Sequence, residues 1–345
     1  MTEAPSRLIL DSSALVANWR WLAARSGPAA CGAAVKADGY GLGAREVAAR
    51  LLGAGCRDFF VATWGEAEAL LPVLGAASVS VLHGFAETEL AAAIASPARP
   101  VLNTMRQIRQ WREATPDRPC DVMIDTGMSR LGLSPDDVAG ALDGLRIDTL
   151  MSHLACADED HGMNARQLAV FGELARYVPA ERRSLANSAG ICLGADFAFD
   201  LTRPGIALYG GIPRGEAVGG IAQVVRVEAR IVQRRRVGAG ESVGYNATFT
   251  ADRPTELAIL NIGYADGYLR AFSGGAGQAL FEGSLPVCGR VSMDLTAVDV
   301  SAAPHLREGD WLELDYHLPD ASARSGLSQY ELLTLLGGRH DRLWT

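Results

Sequence analysis

Over the first two thirds of the chain, short apolar runs alternate with longer stretches rich in Ala, Leu, Glu, Gln and Arg. The apolar runs fall at 33–36, 59–63, 79–83, 100–104, 121–126, 148–153, 183–188 and 201–209 and predict eight strands. The stretches between them, at 43–52, 65–74, 87–94, 105–112, 135–142 and 164–177, repeat apolar residues at spacings of three and four. That spacing, with those residue types, predicts helices. Strands alternating with helices imply parallel strands joined by crossovers. Eight such units predict a closed (β/α)8 barrel of the TIM type. The last connection, 189–200, makes a poor helix, so an open sheet of six or seven strands is the competing topology.

The pattern changes near residue 212. Gly215, Gly219 and Gly220 mark a boundary, after which Val225, Val227, Ala229 and Ile231 alternate with Arg226, Glu228 and Arg230. Period two is the signature of a half-buried strand. Further strand-like runs at 256–262, 285–288, 296–300 and 311–314 are separated by Gly, Asp and Pro turns, and 328–336 predicts a helix. The expected fold class is α/β: a barrel domain at 1–217, then a mostly β domain at 218–345. The basic triplet Arg234, Arg235, Arg236 reads as a solvated face.

Composition narrows the function classes. Of 345 residues, 48% are apolar and 21% charged, which excludes wholesale disorder. The net charge is −8, from 32 basic and 40 acidic residues. A general binder of nucleic acid or of an anionic membrane needs the opposite sign. Six cysteines are scattered without a Cys-x-x-Cys pair, which argues against a zinc ribbon or a disulfide scaffold and fits buried thiols in a reducing compartment. No metal site is expected. Glu3, Arg7, Asp11 and Arg20 interrupt the first 20 residues, and no run approaches 18 apolar residues. The expectation is a cytoplasmic protein with no secretory leader and no membrane span.

In a barrel, the C-terminal ends of the strands face the active site. Those ends carry Lys36, His83, Asn103, Asp125, His153, Asn187, Ser188 and Arg203, and Arg130 follows in the loop after the fifth strand. Lys36 comes after Ala33, Ala34 and Val35. A partly desolvated amine there has a lowered pKa and becomes a better nucleophile or base. A snorkelling surface lysine fits the same position. Asn187-Ser188-Ala189-Gly190 and Arg203-Pro204-Gly205-Ile206 lie at the last two strand ends, where barrels often bind phosphate through backbone N–H groups. Gly39, Gly41 and Ala44 satisfy a dinucleotide fingerprint, but Asp58, the acidic residue at the right spacing, precedes its strand instead of ending it. In the second domain Tyr245 lies in a turn and Tyr264 and Tyr268 follow a strand. Such tyrosines are usually core or interface residues, and acid–base work requires nearby cations to lower a pKa of about 10.

Several strings taken together resemble the alanine racemases, pyridoxal-phosphate enzymes with a barrel and a β domain. They are Ala34-Val35-Lys36-Ala37-Asp38-Gly39-Tyr40-Gly41, Asp125-Thr126-Gly127-Met128-Ser129-Arg130, Ser152-His153-Leu154-Ala155, Ala186-Asn187-Ser188, Arg203-Pro204-Gly205-Ile206, Val243-Gly244-Tyr245, Ile262-Gly263-Tyr264-Ala265-Asp266-Gly267-Tyr268, Gly289-Arg290-Val291-Ser292-Met293-Asp294 and Tyr330-Glu331. They keep their order over nearly the whole chain. The resemblance implies pyridoxal 5'-phosphate held covalently by Lys36, with Lys36 the base on the D side and Tyr245 of the partner subunit the base on the L side. It implies Arg203 at the pyridine nitrogen, and Tyr40, Ser188, Gly205, Ile206 and Tyr330 at the phosphate, beside the loop of Asn187. His153 would flank the cofactor ring and help orient Arg203. Arg130 and the Met293 backbone would meet the cofactor oxygen and the substrate carboxylate. The partners implied are L- and D-alanine and a second copy of the chain in a homodimer with shared sites, supplying D-alanine for peptidoglycan.

Rivals are a racemase of broader or serine or lysine specificity, a decarboxylase of the same fold type, a non-catalytic cofactor carrier and a D-specific aldolase. The β domain counts against the carrier, and Gly244-Tyr245 against the decarboxylase. Three positions depart from the family pattern. Met123 stands where many relatives carry a lysine, often carbamylated, that positions the arginine equivalent to Arg130. Leu42 replaces a common histidine and Ser292 a common cysteine. Arg130 therefore needs another support.

Overall fold

Strand–helix alternation produces parallel strands, as expected. In the computed structural model, which describes residues 4–345, seven strands lie side by side in sequence order: Ala33–Ala34, Asp58–Val61, Ser78–Val81, Arg99–Leu102, Cys120–Met123, Ile147–Met151 and Arg182–Ser184. An eighth, Leu201–Thr202, closes the ring. It pairs in parallel with Ala30–Cys31, Gly32 N–H donates to Thr202 O at 2.9 Å, and on its other side Arg203 N–H donates to Ala186 O at 2.9 Å. The closed barrel, and not an open sheet, is the topology. Position 32 admits only glycine, because an added Cβ would lie 2.8 Å from Asp58 O. All four residues of Asp58–Val61 and of Cys120–Met123 are buried, so their apolar residues do not alternate with polar ones as in a half-exposed strand.

Two expectations fail locally. The strand predicted at 201–209 is regular only over Leu201–Thr202; its pairing ends with Arg203 N–H on Ala186 O and Ala34 N–H on Pro204 O, because Pro204 has no N–H and Ile206–Tyr209 winds into a 3₁₀ turn. The helix predicted at 135–142 is only a 3₁₀ turn, Pro135–Asp137. Gly140 adopts φ 71°, left-handed backbone that a right-handed helix cannot continue through. The connection 189–200 holds a short helix, Ser188–Cys192, and a 3₁₀ turn, Ala195–Phe197.

An ion network closes the N-terminal end of the barrel. Arg182 lies 2.9 Å from Asp58 and 2.8 Å from Asp148, and Arg99 lies 3.2 Å from both Asp148 and Asp121. Asp121 is fully buried and also accepts from Ser80 Oγ at 2.6 Å and from Thr149 N–H at 3.1 Å. Burial pushes its carboxyl pKa up, against the pull of Arg99. Asp58 is thus committed to Arg182, which disposes of the dinucleotide fingerprint.

The β unit is built on Val225–Val237, whose inward residues alternate up to Ile231. A register shift between Ile231 and Gln233 bends this strand. Its first part pairs with Trp311–Leu314 and its second with Thr255–Leu260. Thr296–Asp299, Ser284–Cys288 and Gln278–Leu280 complete a six-stranded ring, and Ser6–Leu10 and Asp341–Trp344 extend it at one edge.

The domain division differs from the sequence-based one. The described residues up to Ala14 belong with Gln223–Thr345, and Leu15–Ala222 form the barrel unit. The first strand, Ser6–Leu10, pairs antiparallel with the long strand (Leu8 opposite Val227), so the β unit takes its edge from the start of the chain.

Candidate active site

Each predicted residue of the barrel unit sits at or just after the C-terminal end of a strand. Lys36 is half-buried behind Ala33, Ala34 and Val35. Among the described residues its amine makes no hydrogen bond or ion pair. Burial lowers its pKa, the positive charge of Arg130 lowers it further, and Glu66 opposes both. A larger fraction of the amine is therefore unprotonated and nucleophilic than in a surface lysine, and the snorkelling alternative is disfavoured.

The chain after Lys36 winds left-handed. Ala37, Asp38, Gly39, Tyr40 and Gly41 have φ of 51°, 52°, 63°, 56° and 85°. Three of them are not glycine, and each costs about 1–2 kcal/mol in this region. Local bonds hold the turn: Ala37 N–H donates to Glu66 Oε1 at 2.7 Å and Ala44 N–H to Asp38 Oδ1 at 2.8 Å. The Tyr40 ring stacks on Tyr209 with centroids 4.6 Å apart, and Tyr209 donates its hydroxyl to Ala34 O at 2.8 Å.

Arg203 is only 6% exposed. Its guanidinium donates to Ser184 Oγ and to Ser152 O and lies over the Phe60 ring at 5.9 Å. It touches no carboxylate among the described residues, and burial brings its pKa down to about 10, so it remains a cation at neutral pH. His153 makes no hydrogen bond to it, so the task of orienting Arg203 falls to Ser184 and Ser152. The His153 imidazole is pushed down to about 3 by burial, then by the charges of Arg203, Arg130 and Lys36, and is neutral at physiological pH.

Ser188 is buried, and its Oγ accepts from Gly205 N–H at 2.8 Å and Ala207 N–H at 3.3 Å. The Gly205 N–H, expected among the anion donors, is thus taken by Ser188. The Ser188 hydroxyl proton and the Ile206 N–H have no acceptor among the described residues. Asn187 caps the short helix through Gly190 N–H at 2.8 Å. Gly205 has to be glycine, since an added Cβ would lie 2.2 Å from Tyr40 Oη. Arg130 is exposed, with no hydrogen bond or ion pair on its guanidinium among the described residues. Its charge is felt at both Lys36 and His153.

The β unit carries the remaining candidates. Tyr245 is 62% exposed at the tip of a hairpin between Ser242–Val243 and Phe249–Thr250. Left-handed backbone at Gly244, Asn246 and Ala247 (φ 76°, 62° and 46°) makes that tip. Met293 is 54% exposed, its carbonyl accepts from Ala265 N–H at 2.9 Å, and its own N–H has no acceptor among the described residues. Gly263 permits this contact, because a Cβ there would lie 2.3 Å from Ser292 O. Tyr330 is 49% exposed in the first turn of Gln329–Thr334, which Ser328 and Glu331 cap reciprocally.

Sequence reasoning missed the supports: Glu66, Ser152, Ser184, Gln167 and Tyr209. Glu66 alone left a signal, the Thr63-x-x-Glu66 capping box after the second strand. A buried amide, Gln167, donates to His153 O at 2.9 Å and Thr126 Oγ1 at 3.1 Å.

Together these features define a class: a barrel with a half-buried lysine, a buried arginine and loops with unused hydrogen-bond donors at its C-terminal mouth, joined in one chain to a β unit that exposes a tyrosine. Comparison with known proteins gives the family. The alanine racemase N-terminal domain family matches residues 10–213, and the alanine racemase C-terminal domain family matches 224–344. An alanine racemase of Methylobacterium nodulans is 45% identical over 98% of this chain and 95% of its own. A catabolic alanine racemase of Agrobacterium fabrum is 44% identical over 98% of this chain and 92% of its own. The crystal structure of alanine racemase from Bartonella henselae with covalently bound pyridoxal phosphate superposes with a TM-score of 0.92 at 38% identity, covering 99% of this chain and all of that one. The chain belongs to the alanine racemase family. No helix among the described residues is long and apolar enough to cross a membrane.

Proposed function

We propose that this protein interconverts L- and D-alanine with pyridoxal 5'-phosphate at the mouth of the barrel. The observation that carries the reading is Lys36, a half-buried amine with no partner and a pKa lowered by burial and by Arg130. The residues present suit that cofactor. Lys36 offers the amine for covalent attachment. The cradle at Gly205, where a Cβ would meet Tyr40 Oη at 2.2 Å, lies beside the unused proton of Ser188 and the unused Ile206 N–H, which suit a phosphate, with Tyr40 as a further hydroxyl. The Bartonella relative holds the same cofactor covalently.

When bound, pyridoxal phosphate supplies the electron sink that lets an amino acid lose its α-proton. The chain's own residues do the rest. Arg203, a cation fixed by Ser184 and Ser152, would meet the pyridine nitrogen and hold it unprotonated. That limits the electron sink and with it side reactions such as transamination. Neutral His153 would flank the ring. Arg130 would receive the substrate carboxylate. Lys36 Nζ, once displaced by the incoming substrate amine, would take or return the α-proton on the D side, and Tyr245 Oη of the partner subunit would do so on the L side. Two bases on opposite faces remove the need for one base to swing round the substrate.

The homodimer follows from the same reading. The β unit exposes Tyr245, Met293, Leu295, Tyr330 and Leu335, large apolar side chains that a second copy would cover. We assign the protein to the cytoplasm, consistent with six unpaired cysteines, and its product to peptidoglycan synthesis. Growth of a D-alanine-requiring strain tests the last point.

Incubating the loaded protein with pure L-alanine, and separately with pure D-alanine, tests the activity. Both reactions should converge on equal amounts of the two enantiomers without carbon dioxide. No conversion of alanine, with turnover of serine or lysine instead, would shift the assignment to the broader-specificity alternative. Carbon dioxide release would shift it to a decarboxylase.

A further inference from the structure

Arg130 poses a positioning problem. Its guanidinium has no hydrogen bond or ion pair among the described residues, yet its charge reaches Lys36 and His153. Position 123 cannot steady it, because a buried methionine offers no anion. The direction of Arg130 is therefore set by the backbone that carries it.

That backbone is organised around one carboxylate oxygen. Asp125 Oδ1 accepts from three successive amides: Gly127 N–H at 2.9 Å, Met128 N–H at 2.8 Å and Ser129 N–H at 3.0 Å. The residue immediately before Arg130, Ser129, is held left-handed at φ 57°. The loop returns on itself through Asp125 N–H to Leu133 O and Leu133 N–H to Met123 O, both 2.9 Å. Gly132, at φ 122°, permits this return, since a Cβ there would lie 2.6 Å from Asp125 N. The neighbouring Thr126 is pinned by Ser152 Oγ at 2.8 Å and Gln167 Nε2 at 3.1 Å. The start of the loop is fixed to the barrel, its end is fixed to its start, and Asp125 folds the part between.

We propose that Asp125 is the positioning residue for Arg130, gathering the amides of 127–129 onto one oxygen so that the following guanidinium is aimed at the substrate carboxylate. The proposal rests on the reading that Arg130 binds that carboxylate. A carboxylate suits the task because hydrogen bonds to an ionised acceptor are about twice as strong as neutral ones, and three N–H dipoles converge here.

The test compares Asp125→Ala, Asp125→Asn, Arg130→Ala and the double variant Asp125→Ala/Arg130→Ala as loaded enzymes. Steady-state kinetics with L-alanine are read beside a spectral titration of the bound cofactor with ethylamine, an amine lacking a carboxylate, and amide hydrogen exchange over 126–132. Asp125→Ala should raise KM for alanine on the order of tenfold, as a misaimed binding group does, while ethylamine binding stays within about twofold because it has no carboxylate to lose. Protection of the 127–129 amides should fall. Asp125→Asn, which keeps an acceptor oxygen, should recover most of the KM, and it carries the same comparison should the alanine variant not fold. In the Arg130→Ala background the Asp125 change should add less than about twofold, because residues acting through one another are not additive.

Equal losses for alanine and ethylamine, or an undiminished Asp125 effect without Arg130, would overturn the positioning role while leaving the role of Arg130 intact. An Arg130→Ala enzyme with unchanged KM would instead overturn the reading of Arg130, and the proposal with it.

Discussion

Gly205→Ala probes the cofactor cradle through a contact that can be worked from the structure. The new Cβ would lie 2.2 Å from Tyr40 Oη and 2.9 Å from Tyr40 Cζ, and reaching the 3.4 Å of ordinary contact requires a shift of about 1.2 Å. Tyr40 has little freedom to make it. The residue is 6% exposed, its backbone is left-handed, and its ring is stacked on a fully buried Tyr209. Overpacking of this kind costs about 1–3 kcal/mol, which lowers the thermal midpoint by roughly 2–12 °C for a unit of this size. Tyr40 is also assigned to the phosphate, so its displacement should weaken cofactor binding about tenfold or more, the equivalent of about 1.4 kcal/mol. Scanning calorimetry of the cofactor-free protein and a fluorescence titration with pyridoxal phosphate read the two effects. Adding Tyr40→Phe removes the 2.2 Å contact and should restore part of the thermal loss while cofactor affinity stays low. A Gly205→Ala protein with unchanged midpoint and affinity would refute the cradle.

Other predictions follow from single contacts. Lys36→Ala should abolish covalent cofactor attachment, seen as loss of its absorbance after dialysis, and with it turnover. Ser184→Ala removes one acceptor of Arg203 and should cost about 1–2 kcal/mol while altering the spectrum of the bound cofactor. Asp121→Ala strips one partner from Arg99 at the closed end of the barrel. It should lower stability by about 3 kcal/mol yet leave kcat of the folded enzyme unchanged, as calorimetry and kinetics would show. His153 has a folded pKa of about 3 against an ordinary 6.5, so the unfolded chain takes up the proton first as pH falls. The cofactor-free protein should lose stability from about pH 6.5 down to about 3, by at most about 1.4 kcal/mol per unit, and His153→Gln should flatten that slope in denaturant titrations.

The barrel was legible because its strands are buried on both faces and leave apolar runs no helix period explains. Lys36, Ser188 and Arg203 were legible by position, since strand ends in a barrel converge whatever the crossovers contain. Their supports were not. Ser184 and Ser152 hold Arg203 only because the strand ending at 184 neighbours the last one and the strand ending at 151 lies next but one to it, and a serine gives no sign of that in sequence. The left-handed turn from Ala37 to Gly41 was hidden as well, because Ala37, Asp38 and Tyr40 show no preference for positive φ strong enough to announce it. Ser6–Leu10 and Asp341–Trp344 escaped notice for a different reason. They are short, and they pair with each other from opposite ends of the chain, so only closure of the β unit makes them strands.

The central claim is that two bases from different copies act on one alanine, and subunit mixing tests it most directly. Lys36→Ala and Tyr245→Phe proteins would each be inactive as homodimers. Mixed in equal amounts, with exchange verified by native mass spectrometry, half of the dimers pair one of each and hold one intact site of two. The account predicts recovery of about a quarter of wild-type racemase activity. Mixed dimers no more active than their parents would contradict it.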